Sequence, residues 1–194
     1  LSARIALWQG FLPHWTAWMR LAMPQVSLRL EIGFEADIMQ GLIEGTIDIG
    51  LMYTPMSRSG LVVEKLFDEK LLLVTNDRER PWPDPDYVHI DWGPEFHAQY
   101  AEHYADAPPP SLVANVGWLG LQQLLTSGGS VYLPQRLVRR HIEDGELWRV
   151  AHAATFRLPA YVVYPAGDAG STKETLPPVL RVLFTLAREE AVRK

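Results

Sequence analysis

The chain has 194 residues, 47% hydrophobic and 21% charged, enough to bury a sizeable core as one domain or as two small lobes. Its formal net charge of -5 and its scattered Lys and Arg argue against a phosphate-binding surface, which needs clustered cations to displace counterions. With no cysteine, disulfides and thiolate metal sites are excluded, and the composition is compatible with the cytosol.

The densest basic cluster, Arg136, Arg139 and Arg140, lies at helical spacing beside Glu143, Asp144 and Glu146 and reads as a solvated helix face. No run of about 18 apolar residues is present to span a bilayer. Leu1-Ser2-Ala3-Arg4-Ile5 lacks the basic and apolar regions of a signal peptide and begins as a strand would. That start is expected of a piece whose upstream part is absent.

In chain order, Ala3 to Leu7 is a short apolar run that predicts a strand. Leu12, Trp15, Met19 and Ala22 predict a helix that halts before Pro24. Val26, Leu28, Leu30 and Ile32 alternate with Ser27, Arg29 and Glu31, the pattern of a half-buried strand. Ile38, Leu42 and Ile43 predict a helix over 35–44 closed by Gly45, and Ile47 to Met52 a strand buried on both faces with Asp48 near its start. Strands separated by such helices need crossover connections and hence a mainly parallel sheet.

The pattern then recurs. Strands are predicted over 62–66 and 71–75, a proline-rich loop over 76–86, and a strand over 88–92. A helix over 95–104 precedes the break at 107–110. Then come a strand over 112–116, a helix over 118–126, a strand over 131–133 and a helix over 135–143 closed by Gly145. A last apolar strand over 160–164 and an amphipathic helix over 178–192 have no neighbours in the second half. They are expected to return to the first, giving a discontinuous lobe I over 1–75 and 159–194 and a lobe II over 76–158.

Several motifs in this order resemble those of one family. Pro24-Gln25-Val26-Ser27-Leu28-Arg29-Leu30 is similar to a "P-x-V-x-L-x-L" strand. Leu42-Ile43-Glu44-Gly45-Thr46-Ile47-Asp48-Ile49-Gly50-Leu51 is similar to "L-x-x-G-x-L-D-L-A-I", with Ile47 and Ile49 for Leu and Gly50 for Ala. Ser127 to Pro134 resembles "G-x-G-I-A-L-L-P", and Asp144-Gly145-Glu146-Leu147 resembles "D-G-R-L". From Ala3 to Arg188 the series resembles the effector-binding domain of LysR-type transcriptional regulators. The resemblance implies an α/β fold of two Rossmann-like lobes with a central cleft, similar to type 2 periplasmic binding proteins. It implies a small-molecule effector in that cleft, no enzyme activity, a homodimer that becomes a tetramer when full-length, and a cytoplasmic location. DNA would be met only through an N-terminal winged helix-turn-helix that is not in this chain.

In open parallel sheets, ligands sit beyond the carboxyl ends of the strands. The segments Trp8-Gln9-Gly10-Phe11, Tyr53-Thr54, Asp91-Trp92-Gly93 and Val116-Gly117-Trp118 meet that description, match the positions where the family lines its cleft, and each carry an aromatic. Together with Glu95 they form the expected effector site: Trp8, Gln9, Gly10, Phe11, Tyr53, Thr54, Asp91, Trp92, Glu95, Val116, Gly117 and Trp118. An aromatic at a strand end either walls a ligand or plugs an apolar gap between lobes. Val116 stands where the family commonly has Ser or Thr, and the first loop is about four residues shorter than the family's, judged by element spacing.

These departures favour a flat apolar or aromatic ligand, with or without a carboxylate, whose polar end is fixed by Gln9, Thr54 and backbone amides. The alternative is a cation in an aromatic cage beside Asp91. No G-x-S-x-G elbow, H-E-x-x-H or phosphate-cradling Lys is found, and His97 and His103 fall on different faces of their helix, so neither catalysis nor a metal or cofactor is expected. The resemblance places dimer contacts on the first helix and second strand, at Met19, Arg20, Met23, Leu28, Leu30 and Ile32. A solute-binding transport protein and a small enzyme on this fold are the competing classes.

Overall fold

The computed structural model describes residues 1–166 and 178–192. The chain divides into two compact units, Leu1–Asp68 with Pro159–Lys194 and Glu69–Leu158. The change from the first unit to the second falls after Asp68, where the sequence pattern had suggested Thr75. Residues 167–177 and 193–194, part of the expected lobe I, lie outside the described residues.

In the first unit, β1 (Ser2–Ala3) pairs in parallel with β2 (Glu31–Ile32) and β3 (Gly50–Met52), and β3 pairs antiparallel with β9 (Phe156–Pro165). Helix α1 (Ile5–Trp8) follows β1 at once, α2 (Leu12–Ala22) starts with Pro13 in its first turn, and α3 (Glu35–Glu44) ends on Gly45 in the left-handed region at φ 72°. Gly45 tolerates that conformation because it has no Cβ, and its N–H closes the helix on the Gly41 and Leu42 carbonyls. Ile38, Met39, Leu42, Ile47, Met52 and Val163 form the core between α3 and the sheet. Helix α7 (Pro178–Val192) buries Leu180, Leu183 and Ala187, and the Trp15 indole of α2 donates to the Val179 carbonyl at 3.1 Å.

Three expectations about this unit need correction. Ala3 to Leu7 is not one strand: pairing stops at Ala3 and Ile5–Trp8 is a helical turn, because a short apolar run carries no periodicity that separates the two. The alternating segment from Val26 joins the sheet only at Glu31–Ile32, since an edge strand has a partner on one side alone. Ile47 to Met52 is extended sheet only at Gly50–Met52, and Asp48 is exposed before it.

The second unit is organised around β4 (Leu61–Thr75), β7 (Ser130–Pro134), β5 (Tyr87–Ile90) and β6 (Leu112–Ala114), in that spatial order. β5 runs parallel to both β6 and β7, while β4 is antiparallel to β7 and to the short β8 (Trp148–Arg149). The predicted pair of strands over 62–66 and 71–75 is a single long strand, β4, which carries the chain from one unit into the other as β9 carries it back. Helices α4 (Pro94–His103), α5 (Gly117–Ser127) and α6 (Gln135–Glu143) cover the sheet. Tyr87, Phe96, Tyr132 and Phe156 supply an aromatic core, with Tyr132 and Phe156 rings 4.8 Å apart. The Tyr132 hydroxyl donates to the Ala154 carbonyl at 2.9 Å and contacts the Tyr104 hydroxyl at 2.9 Å, so its buried polar end is satisfied.

Candidate functional site

At the carboxyl edge of the first unit, the ends of the three parallel strands set the geometry. The Arg4 N–H bonds to the Leu51 carbonyl at 3.0 Å, and the Leu7 N–H bonds to the Arg4 carbonyl at 2.9 Å, which starts α1 directly after β1. Trp8 is half-buried at the end of that turn. Its indole Nε1 is shielded from solvent and makes no hydrogen bond. Gln9 and Gly10 are exposed, with Gly10 at φ 77° reversing the chain between α1 and α2. Phe11 is buried and meets the Phe67 ring edge-on at 5.3 Å, so it belongs to the unit's own core. After β3, Tyr53 is 3% exposed and Thr54 is half-buried.

The corresponding edge of the second unit is built from β5 and β6. The Asp91 N–H bonds to the Ala114 carbonyl at 2.8 Å, and the Asp91 carboxylate receives the Gly93 N–H at 3.1 Å and sits 3.2 Å from the His97 Nε2. Trp92 turns inward: it is 3% exposed and donates from Nε1 to the Tyr132 carbonyl at 3.0 Å. Glu95 is exposed in the first turn of α4, Val116 is half-buried before α5, and Gly117 is buried. Trp118, 43% exposed, stands at the surface. Of the four aromatics on the expected site segments, Tyr53 and Trp92 are buried, Trp8 is half-buried and Trp118 is exposed.

Two cavities open beside the β6 edge strand of this unit. One of about 530 Å³ is lined by Asp91, Leu112, Val113, Ala114, Asn115, Leu119 and Gln123. The other, about 320 Å³, is lined by His89, Asp91, His97, Tyr100 and Val113. His89 was not singled out in the sequence because a lone His in a strand carries no pattern. Its ring stacks on His97 at 5.4 Å, and burial and the neighbouring His97 lower its pKa against the opposing pull of Asp91. The Tyr87 phenol, 3.3 Å from the His89 Nδ1, is pushed up by burial, as is that of Tyr100. Arg4 and Glu35, 3.3 Å apart at the edge of the first unit, were also passed over. Their signal was a charge closely following each of two strands, Arg4 next to β1 and Glu35 three residues beyond β2.

The surface expected to pair two copies is only partly available. Met19 is 2% exposed and fills the core of its own unit, so it cannot face a partner. Leu30 and Ile32 are 41% and 64% exposed, Arg20 is exposed, Met23 and Leu28 are half-buried, and Leu21 adds an 85% exposed side chain nearby. Among the described residues, no group of three or more His, Cys, Asp or Glu is arranged to hold a metal ion, and no helix is long and apolar enough to cross a membrane.

Comparison with known proteins supplies the lineage. The chain is 26% identical over 167 residues to the HTH-type transcriptional regulator HdfR of Salmonella schwarzengrund (strain CVM19633), a match covering 84% of this chain and 59% of that protein. The chain thus spans less than two thirds of that relative's length. Among solved structures, the apo regulatory domain of HypT from Salmonella typhimurium superposes with a TM-score of 0.73 at 18% identity, covering 97% of this chain and 93% of that one. The regulatory domain of CrgA, a LysR-type regulator from Neisseria meningitidis, gives 0.70 at 20% identity, over 98% and 96%. Full-length LysG from Corynebacterium glutamicum with bound effector Arg gives 0.71 at 13% identity, over 97% and 67%. These likenesses show the two-lobe, periplasmic-binding-protein-like fold. The family description "LysR substrate binding domain" matches residues 1–191, and the chain belongs to that family of effector-binding domains of LysR-type transcriptional regulators.

Proposed function

We propose that this chain is the sensing part of a cytoplasmic transcription factor, taking up a flat apolar or aromatic effector beside segments that follow its parallel strands. The observation that carries the reading is that Trp8, the last residue of α1, and Trp118, in the first turn of α5, each follow a parallel strand of their unit and stay partly exposed, within a chain that matches the effector-binding family almost end to end. Gln9, Thr54 and Asp91 lie close by in sequence or strand register to meet the ligand's polar groups. Effector binding alters how copies of the chain pair through Arg20, Met23, Leu28, Leu30 and Ile32, and so alters DNA binding by a helix-turn-helix outside this chain. A ligand can do this only through different affinity for the two arrangements.

Titration of the tryptophan emission tests the reading. Benzoate and benzamide are expected to quench it and benzylamine to leave it unchanged. A response to benzylamine alone overturns the aromatic reading in favour of a cationic ligand beside Asp91.

A further inference from the structure

The sheet of the second unit ends on an open edge. Among the described residues β6 pairs with β5 and closes the strand order, and Val113 at its middle is 64% exposed. The Ala114 carbonyl is turned toward β5, where it accepts the Asp91 N–H at 2.8 Å, so the main chain of the preceding residue, Val113, turns its N–H and carbonyl away from the sheet. Successive residues of a strand also point their side chains to opposite faces. The His89 ring meets Phe96 and Tyr100 of α4, while the Ile90 side chain lies against Gly120 of α5, so α4 and α5 cover opposite faces here. The two cavities described above therefore flank β6 one on each face. The smaller lies on the His97 and Tyr100 side, the larger on the Leu119 and Gln123 side, and both reach Asp91 and Val113.

We propose that the open edge of β6 receives an extended, basic segment of a partner protein as an added strand, with its alternate side chains in the two cavities. Bonds to the Val113 main chain set the register, and because β6 has three residues only, the cavities on its two faces supply the specificity. The charge of the partner follows from Asp91. Its carboxylate is exposed, and its contacts with the Gly93 N–H at 3.1 Å and the His97 Nε2 at 3.2 Å both use Oδ1, which leaves Oδ2 for a cation. A lysine or arginine entering the smaller cavity meets that carboxylate beside the aromatic ring of Tyr100. His89 does not hold the place as a cation, because burial and His97 disfavour its charged form. On the opposite face, Leu112, Ala114 and Leu119 offer an apolar receptacle to the next side chain. The segment lies along β6, and its binding does not depend on the effector.

The probe is a fluorescein-labelled, capped hexapeptide of alternating valine and lysine, followed by fluorescence anisotropy on the chain and on its Asp91→Asn and Val113→Pro variants, with circular dichroism to establish folding. The chain is expected to bind it, and to bind the matching valine-glutamate peptide about tenfold more weakly or less. Two analogues, methylated at the main-chain nitrogen of every lysine or of every valine, are expected to differ: the one whose methyl groups face β6 loses binding and the other keeps it. Asp91→Asn is expected to weaken the valine-lysine peptide about three- to fivefold. Val113→Pro removes the outward N–H at an edge position, where proline is tolerated, and is expected to abolish its binding. Equal binding of the two methylated analogues overturns the inference, because attraction of a cationic peptide by the net charge of -5 needs no strand pairing. No binding of the parent peptide also overturns it, and weaker self-association of Val113→Pro in light scattering then gives the edge to a second copy of the chain.

Discussion

The indole of Trp92 lies against the α-carbon of Gly117: a Cβ built on that glycine would stand 2.4 Å from Trp92 Cη2 and 2.7 Å from Cζ2. The ring cannot swing aside freely, because its Nε1 is tied to the Tyr132 carbonyl at 3.0 Å. Glycine at the start of α5 is therefore a packing requirement of the second unit. Gly117→Ala is expected to lower stability by about 1–2 kcal/mol even after its gain in helix propensity, read as a shift of the urea midpoint.

A buried ion pair fixes α6 to the long strand. Glu69 and Arg136 meet with side chains 3% and 6% exposed. Deleting one partner strands the other charge in a poorly solvated place. Glu69→Ala should cost about 3–5 kcal/mol in urea unfolding. A double variant, Glu69→Leu with Arg136→Met, should recover much of that loss, because an apolar pair leaves no charge to desolvate.

His89 makes stability depend on pH with a definite sign. Its folded pKa is lowered, first by burial and then by His97, against Asp91. Tyr87, Phe96 and Tyr100 surround the remainder of the ring. Above about pH 6.5, the ordinary imidazole value, folded and unfolded chains are both neutral here and the contribution is complete. As pH falls below that value, the unfolded chain takes up a proton that the folded chain resists, and stability is lost. Urea unfolding at about pH 7.5 and 5.5 should show this decline, and His89→Phe should flatten it.

Much of this architecture was legible in the sequence where the pattern was periodic. The bounds of α3, α6 and α7 follow from apolar spacing closed by glycine or opened by proline. The pattern failed where it lacked a period or a partner. Ile5 to Trp8 gave no cue to choose helix over strand, and the alternation from Val26 promised more pairing than an edge position provides. The candidate site was legible as a set of loops but not as exposures. Trp92 and Tyr53 look like cleft walls by position, yet the long-range contact with Tyr132 and the burial of Tyr53 are properties of packing that no local pattern encodes. Arg4 and Glu35 escaped notice because their pairing joins segments brought together only by the parallel pairing of β1 and β2.

The proposed pairing surface makes its own prediction. Leu30 and Ile32 are largely exposed on the edge strand and its approach, so Leu30→Asp with Ile32→Asp should leave the fold intact, with little change in melting temperature. It should weaken self-association by about tenfold or more, measured by light scattering across a dilution series. An unchanged dimer would remove this edge from the interface.

The central claim is that segments following the parallel strands receive an aromatic effector, and hydrogen exchange with and without saturating benzoate tests it most directly. Protection is expected at 4–11, 53–54, 91–95 and 116–118, with the remaining amides unchanged or changed less. Protection confined to residues outside those segments, with none at 4–11 or 116–118, would contradict it.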